Sequence, residues 1–440
     1  MRLRSDRKGP WYAACMMFLY SFALTVALAA SAPVWGWRML RQGRYRDGLR
    51  QRLGDVPPRL AAAVKGRQVV WLHAVSVGEL IAATRLIAEL QAALPDHILV
   101  VSTTTPTGQQ VARERFDVDR VFFFPVDFAF AVRAYLRVLQ PRLVILMESE
   151  LWPRFLVECD VAGVPVAVVN ARVSDRSLPR YMALRLLWKS LLQRVTLLLA
   201  QSEEDARRWI AIGAAESQVR CVGNLKYDVP DSVETPLANL IRRHLPNGAK
   251  VLVSGSTHDG EESLLLDCVP QLTKNQQVMI LAPRHPQRVA QVEQLAADRN
   301  LRTLRLSQWR LSPEAMPLGA VLLIDTVGEL SALYALASVA FVGGSLVARG
   351  GQNPLEPARF GVPVVMGESF ENFRDVVAAM QAAGAITIVS AETLSATLSD
   401  LMSRDPSTDL QRRSRGLLEQ HAGATARTVA SLLPLLKERG

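Results

Sequence analysis

The 440-residue chain carries 51 lysines and arginines against 41 aspartates and glutamates, a net charge of +10, and 49% of its residues are hydrophobic. Such a length supports about two or three domains with sizeable cores and excludes a largely disordered protein, while the basic excess asks for an acidic partner: nucleic acid, anionic lipid or a phosphorylated substrate. The four cysteines, Cys15, Cys159, Cys221 and Cys268, form no C-x-x-C pair, which speaks against a disulfide framework or a cysteine zinc site and fits a reducing compartment.

Taken in chain order, the first feature is Trp11 to Trp37, a stretch without a charged residue. It is long enough to cross a bilayer, and aromatic residues stand at its ends where they suit the interface. A cleaved signal peptide is the competing reading, since Ala-Ala-Ser-Ala precedes Pro33; the length of the run and the arginines that follow it favour a retained segment. Arg2, Arg4, Arg7 and Lys8 precede the run, and Arg38, Arg41, Arg44, Arg46, Arg50 and Arg52 follow it. The heavier basic flank is the later one, which puts the body of the protein on the cytoplasmic side; basic residues on both flanks also permit a helix that enters a single leaflet of an anionic membrane surface. Residues 1–56 are thus expected to form an anchor and its basic flank.

Residues 57–228 read as the first globular half. Short, β-rich apolar runs at Val69–Leu72, Ile98–Val101, Val121–Phe124, Leu143–Met147, Val164–Val169 and Thr196–Ala200 predict buried parallel strands, with helices such as Leu80–Leu94 and Phe128–Leu139 between them. In a doubly wound sheet the chemistry lies in loops at the carboxyl ends of the strands. The first such loop, His73 to Glu79, sets Glu79 at a helix start. There the helix field favours the carboxylate and makes Glu79 a candidate general base, or simply a dipole-complementing residue. Ser76 and Gly78 of this loop could present a hydroxyl and N–H groups to an anion. Glu148 and Glu150 follow the fourth run and could orient a polar substrate or cap the next helix. Arg172, Arg176 and Arg180 would share a helical face, although Pro179 stands among them. Lys226 closes the half, where a phosphate leaving group would meet it; a lone solvated lysine is the alternative, and only the location favours the former.

Residues 229–249, with three prolines, are expected to be a linker, residues 250–406 a second Rossmann-like half, and residues 407–440 a helical, basic tail that packs back on the first half. The second series of strands is predicted at Val251–Val253, Val278–Leu281, Val321–Ile324, Val339–Val342 and Val362–Val365. Loops with hydroxyls and N–H groups follow them: Ser254 to Glu262, Pro283 to Pro286, and Gly328-Glu329 before a helix. The most conspicuous is Val342 to Gly367. There Gly343, Gly344, Gly350 and Gly351 read as a phosphate-holding turn, Asn353-Pro354 as a helix start, and Glu356 as an acceptor for sugar hydroxyls; a glycine-rich crossover of an ordinary sheet has the same pattern. His258 and His285 have no third ligand at metal spacing, so no metal site is expected. Neither G-x-G-x-x-G nor G-x-x-x-x-G-K-[ST] occurs, which weighs against a dinucleotide oxidoreductase or a P-loop enzyme.

Eight blocks in order, HAVSVGE (73–79), STTTPTG (102–108), MESELWP (147–153), NARVSDRS (170–177), GNLKYD (223–228), GSTHDGEE (255–262), APRHPQR (282–288) and GGSLVARGGQNPLEPA (343–358), closely resemble the bacterial Kdo (3-deoxy-D-manno-octulosonic acid) transferases over nearly the whole chain. The resemblance implies an α/β GT-B glycosyltransferase, two Rossmann-like domains facing a cleft, with an N-terminal membrane-anchoring helix. It implies inverting transfer of Kdo from CMP-Kdo to the lipid A precursor at the bacterial inner membrane, with neither a metal nor another cofactor in the transfer step, and an anionic lipid rather than a nucleic acid as partner. Residue by residue, it makes Glu79 the general base, gives Glu148 and Lys226 the stabilisation of the transition state, and gives CMP contacts to Pro283, Arg284, Val327, Gly328, Glu329, Asn353, Pro354, Leu355 and Glu356. Family members often have methionine where Val327 stands, so only a backbone contact carries over there. The acceptor candidates are Ser76, Gly78, Arg172 and Arg176. A GT-B transferase with a UDP donor, or an inactive scaffold that binds the lipid precursor, are the alternatives.

Overall fold

The protein's structure, a computed structural model, describes residues 17–27, 29–31, 48–175, 177–228, 235–274, 277–404 and 408–437. The chain divides into two compact units, residues 1–228 with 423–440, and residues 229–422.

Each unit is built on a seven-stranded, all-parallel sheet. The first holds β1 (Gln68–His73), β2 (His97–Thr103), β3 (Val121–Phe123), β4 (Leu143–Met147), β5 (Val166–Ala171), β6 (Leu197–Ala200) and β7 (Val219–Cys221), in the spatial order β3-β2-β1-β4-β5-β6-β7. The second holds β8 (Lys250–Thr257), β9 (Gln277–Pro283), β10 (Thr303–Arg305), β11 (Val321–Leu323), β12 (Val339–Val342), β13 (Val364–Gly367) and β14 (Ile386–Val389), in the order β10-β11-β9-β8-β12-β13-β14.

The strand runs are continuous in apolar residues because helices cover both faces of each sheet. Alternate residues of β1 feed opposite cores: Val69 and Trp71 pack with Val144 and Val168 on one face, Val70 and Leu72 with Ile145 and Val169 on the other. Leu252, Met279 and Phe341 divide from Val253, Ile280 and Ala340 in the same way in the second unit. Period-two alternation with both sides buried leaves only the strand ends for polar chemistry.

The three strands not anticipated from the sequence, β7, β10 and β14, are all sheet edges. They are short and only partly buried, and β7 (VRC) and β10 (TLR) lack the apolar run that marks a central strand. The expected linker 229–249 contains the helix Pro236–His244, whose Ile241 is buried in the second unit's core. The expected tail divides: the helix Thr408–His421 belongs to the second unit and the helix Ala424–Lys437 to the first. There Ala424, Val429 and Leu432 pack in the core beside the helix Val77–Ala93.

Of the predicted membrane segment Trp11 to Trp37, residues 11–16, 28 and 32–37 lie outside the described residues, and residues 17–27 and 29–31 are helical. Among the described residues no helix is long and apolar enough to cross a membrane, so a spanning helix is not part of the described fold. Met17 is buried in the first unit and the Tyr20 hydroxyl donates to Asp127 Oδ2 at 2.8 Å, while Phe18, Leu19, Phe22 and Val26 are exposed. Met17 and Tyr20 are one turn apart, so one stripe of this helix is spent on the protein and another faces outward.

Candidate active site

The order of the first sheet reverses between β1 and β4, and a ligand crevice opens beyond the carboxyl ends of such neighbours. Ser76 and Glu79 leave β1 and Glu148 leaves β4, so three predicted residues come to this switch point. Ser76 is the N-cap of the helix Val77–Ala93; its hydroxyl accepts from Glu79 N at 3.3 Å and donates to Glu79 Oε1 at 3.0 Å. Glu79 Oε2 accepts from Val75 N at 2.8 Å. A carboxylate at the third helical position, reaching back past its cap, is held in one rotamer by these bonds. Gly78 is exposed in the first helical turn.

Glu79 is 8% exposed. Burial, then the neighbouring carboxylates Glu148 and Glu150, push its pKa up to about 8, against the opposing bonds from Val75 and Ser76. The sequence-based expectation that the helix field holds Glu79 as a carboxylate is therefore corrected: desolvation and like charge outweigh the dipole. Glu150 is also raised, by burial and then by Glu148.

Glu148 adopts φ 55, a left-handed conformation that is uncommon for a side chain with a Cβ and recurs at functional sites. Its Oε1 lies 3.4 Å from Lys226 Nζ, with both side chains largely shielded from solvent. Lys226 sits in the short turn Leu225–Tyr227, and three amide side chains fix that turn. Asn170, at φ 55 near the end of β5, accepts from Leu225 N through Oδ1 at 3.0 Å. Gln201 donates to Asn170 O at 2.9 Å and accepts from Asn224 Nδ2 at 3.0 Å, and Asn224 Oδ1 accepts from Lys226 N at 3.0 Å. On the far side of the turn, Asp228 accepts from Gly423 N at 2.6 Å and from Thr425 N, which ties it to the start of the C-terminal helix.

Of the arginines, Arg172 is half-buried in the loop after β5, Arg176 lies outside the described residues, and Arg180 is exposed in the helix Leu178–Ala183. Arg172 precedes that helix, so the expected common face with Arg180 does not form. The loop is instead pinned by the helix Glu203–Ile212: Asp205 accepts from Val173 N at 2.8 Å and Arg208 donates to Val173 O at 2.6 Å.

The second sheet reverses between β8 and β12. The glycine loop after β12 departs from its expected role, because its amides are already engaged. Glu261, fully buried, accepts from Gly344 N at 2.7 Å and from Ser345 N and Leu346 N at 2.9 Å, as well as from His258 N at 2.8 Å. Gly343 N bonds Gly255 O, Gly350 N bonds Ser369 Oγ, and Gly351 N and Gln352 N bond the carbonyls of Gly344 and Gly343. The loop is an anion-holding nest, and the anion is the protein's own carboxylate. Gly343 is required for a packing reason: a Cβ there would lie 2.5 Å from Ser256 O.

The remaining predicted residues divide between core and surface. Pro283 is buried in β9, Pro354 is buried, and Leu355 is fully buried, so Pro283 and Leu355 can offer a ligand only backbone atoms. Arg284, whose N donates to Thr257 O at 2.9 Å, is half-buried beyond β9. Val327 is exposed, and Gly328 has φ 92, a conformation that suits glycine alone. Glu329 is engaged by Thr326 Oγ1 and, at 3.2 Å, by Arg310. Asn353 Oδ1 accepts from Leu355 N at 3.1 Å, and the partly buried Glu356 acts on the charge of Arg359.

Residues 47–229 match the family model for 3-deoxy-D-manno-octulosonic-acid transferase (kdotransferase). The 3-deoxy-D-manno-octulosonic acid transferase of Haemophilus influenzae is 31% identical over 96% of this chain and 99% of its own length. The chain belongs to the Kdo transferase family. Its counterpart in Bordetella pertussis is 34% identical over 93% of this chain and 97% of its own. Among solved structures, the UDP-GlcNAc 2-epimerase of Neisseria meningitidis superposes with a TM-score of 0.51 over 84% of this chain and 100% of its own at 12% identity; that is a likeness of fold, and the fold is GT-B.

Within this Kdo transferase framework, the sequence reading assigned no role to Asn170, Gln201, Asn224 or Glu261. Asn170 had one usable signal, an asparagine directly after an apolar strand, where its tolerance of positive φ is useful. Glu261 had none: in sequence it resembles any acidic residue in a first helical turn, and only the fold brings the β12 loop onto it.

Proposed function

We propose that this family member transfers Kdo from CMP-Kdo to the lipid A precursor, tetraacyldisaccharide 1,4'-bisphosphate, with inversion at the anomeric carbon. The observation that carries the reading is Glu79: a buried carboxylate at the switch point of the first sheet, held in one rotamer, with a pKa of about 8. A base for a sugar hydroxyl is most effective when its affinity for protons lies near the working pH, above that of an ordinary exposed carboxylate.

In the proposed reaction the acceptor hydroxyl loses its proton to Glu79 Oε as its oxygen attacks the anomeric carbon of Kdo. The bond from that carbon to the phosphate oxygen breaks, and CMP leaves with the electron pair as a phosphate monoester. Displacement in a single step inverts the configuration. Lys226 supplies positive charge for the departing phosphate and Glu148 negative charge for the electron-poor sugar ring; their 3.4 Å pairing keeps both in place beforehand. Among the assigned residues of the second unit, Arg284, Glu329, Asn353 and Glu356 are the ones with polar side chains. The basic excess of the chain suits a bisphosphorylated acceptor. We further propose that residues 11–37 hold the protein at the cytoplasmic face of the inner membrane. The outward Phe18, Leu19, Phe22 and Val26 and the basic flanks support this.

The test is Glu79→Gln. The reading expects turnover to fall about 10²-fold or more while CMP still binds, and expects the rise of wild-type kcat/KM toward an inflection near pH 8 to vanish. Near-normal turnover in that variant contradicts it.

A further inference from the structure

Glu261 occupies the Gly344, Ser345 and Leu346 amides of the β12 loop, so these three are not open to a bound anion. Next to that loop the fold gathers four basic side chains. His258 follows β8, Arg284 and His285 follow β9, and Arg349 lies in the β12 loop. The two imidazoles meet edge to face with ring centroids 5.9 Å apart. A Cβ placed on Gly344 would lie 3.3 Å from His258 Cδ2 and 3.5 Å from Arg349 Cβ, so both flank the turn. The backbone beneath is rigid: His258 N is bonded to Glu261, and Arg284 N to Thr257 O.

Among the described residues no carboxylate forms an ion pair with this cluster. Glu261 is committed to backbone amides, and Glu262 and Asp259 are committed to Arg288 at 2.8 and 2.7 Å. Among the described residues neither Arg284 nor Arg349 has an ion pair. His258 Nε2 is buried without a hydrogen-bond partner, a state that costs free energy unless a ligand atom meets it. Burial lowers the pKa of both imidazoles. For His258 the cationic neighbours His285, Arg349 and Arg284 add to this against Glu261; for His285, Arg284, Arg288 and Arg349 do so.

We propose that His258, His285 and Arg349 join Arg284 in an anion subsite for the donor, taking the phosphodiester and the adjacent carboxylate of an acidic nucleotide-activated sugar. The assignment rests on the donor reading above. In CMP-Kdo the carboxylate and the phosphate oxygen share one carbon, so two negative charges arrive together and a cluster of cations matches them better than one lysine or arginine would. Burial and the neighbouring cations hold both imidazoles below the usual histidine range, and a bound anion favours their protonated forms, so binding takes up protons and tightens as the pH falls.

The test is calorimetric binding of the full-length protein to the methyl ester of CMP, whose phosphodiester does not titrate between pH 5.5 and 8, with cytidine as the control without charge. The diester is expected to bind about tenfold more tightly at pH 5.5 than at pH 8, with a buffer-dependent enthalpy that reports proton uptake, while cytidine binds equally at both. The double variant His258→Gln/His285→Gln should lose the pH dependence and keep its affinity for cytidine, which shows that it is folded. Diester binding with the same pH dependence in the variant, or with none in the wild type, overturns the subsite and leaves the donor reading standing. Binding of the UMP methyl ester alone, with the pH dependence intact, overturns the cytidine donor and supports the subsite; binding of neither ester overturns both.

Discussion

Glu79 is the residue on which chemistry and stability meet. Folded, it binds its proton more tightly than it does in the unfolded chain, so this group's contribution to stability is complete below the ordinary carboxylate range and is lost as the pH rises through about 8. Glu79→Gln has no charge to bury. Its melting temperature should therefore rise above that of the wild type by more at pH 9 than at pH 5. Thermal unfolding at the two pH values checks this, and equal differences at both would mean that the carboxylate is not desolvated. Lys226 makes a second residue-scale case. Lys226→Met removes the cation beside Glu148 and keeps most of the aliphatic stem, so turnover should fall about 10²-fold with the affinity of the second unit for CMP little changed. Steady-state kinetics with parallel CMP titration would show this.

At the scale of elements, the strand ends do the positioning. Asn170 near the end of β5, Gln201 after β6 and Asn224 after β7 form a chain of amides that fixes the Lys226 turn. Asn170→Ala removes the acceptor for Leu225 N and places a less tolerant residue at positive φ. Turnover should fall about tenfold or more, with KM moving less than kcat, because a loosened support shell misplaces a group without removing it. The Asp228 carboxylate receives two amides at the C-terminal helix; Asp228→Ala should cost about 1–2 kcal/mol in denaturant unfolding. The sequence disclosed the central strands because burial on both faces demands unbroken apolar runs such as Leu143–Met147. It hid β7 and β10 because an edge strand tolerates polar residues such as Arg220 and Arg305. It also placed Glu79, Glu148 and Lys226 in strand-end loops, which follows from the alternation of strand and helix. The glycine loop at 343–351 left two readings open, a phosphate-holding turn and a plain crossover, for a definite reason. Glycine pattern reports that backbone approaches something closely, but not what; here the partners are Ser256 O and the carboxylate of Glu261.

For the whole molecule, net charge and the apolar N-terminal run combine into one expectation. Deleting residues 1–37 should release the protein from membranes more readily than it abolishes transfer to a detergent-dispersed acceptor, since Met17 and Tyr20 contribute only a small part of the first unit's core. Flotation with anionic vesicles at low and high salt distinguishes the anchors. A truncated protein that stays bound in high salt would move the principal anchor to another surface. Membership in the Kdo transferase family rests on likeness along nearly the full chain; donor, acceptor and stereochemistry rest on the residues described above. The most direct test is incubation of the purified protein with CMP-Kdo and the lipid A precursor, followed by mass spectrometry. Release of CMP together with a lipid heavier by one or more Kdo residues is the predicted result. Unchanged lipid and intact CMP-Kdo, with consumption of a UDP-activated sugar in its place, would contradict it.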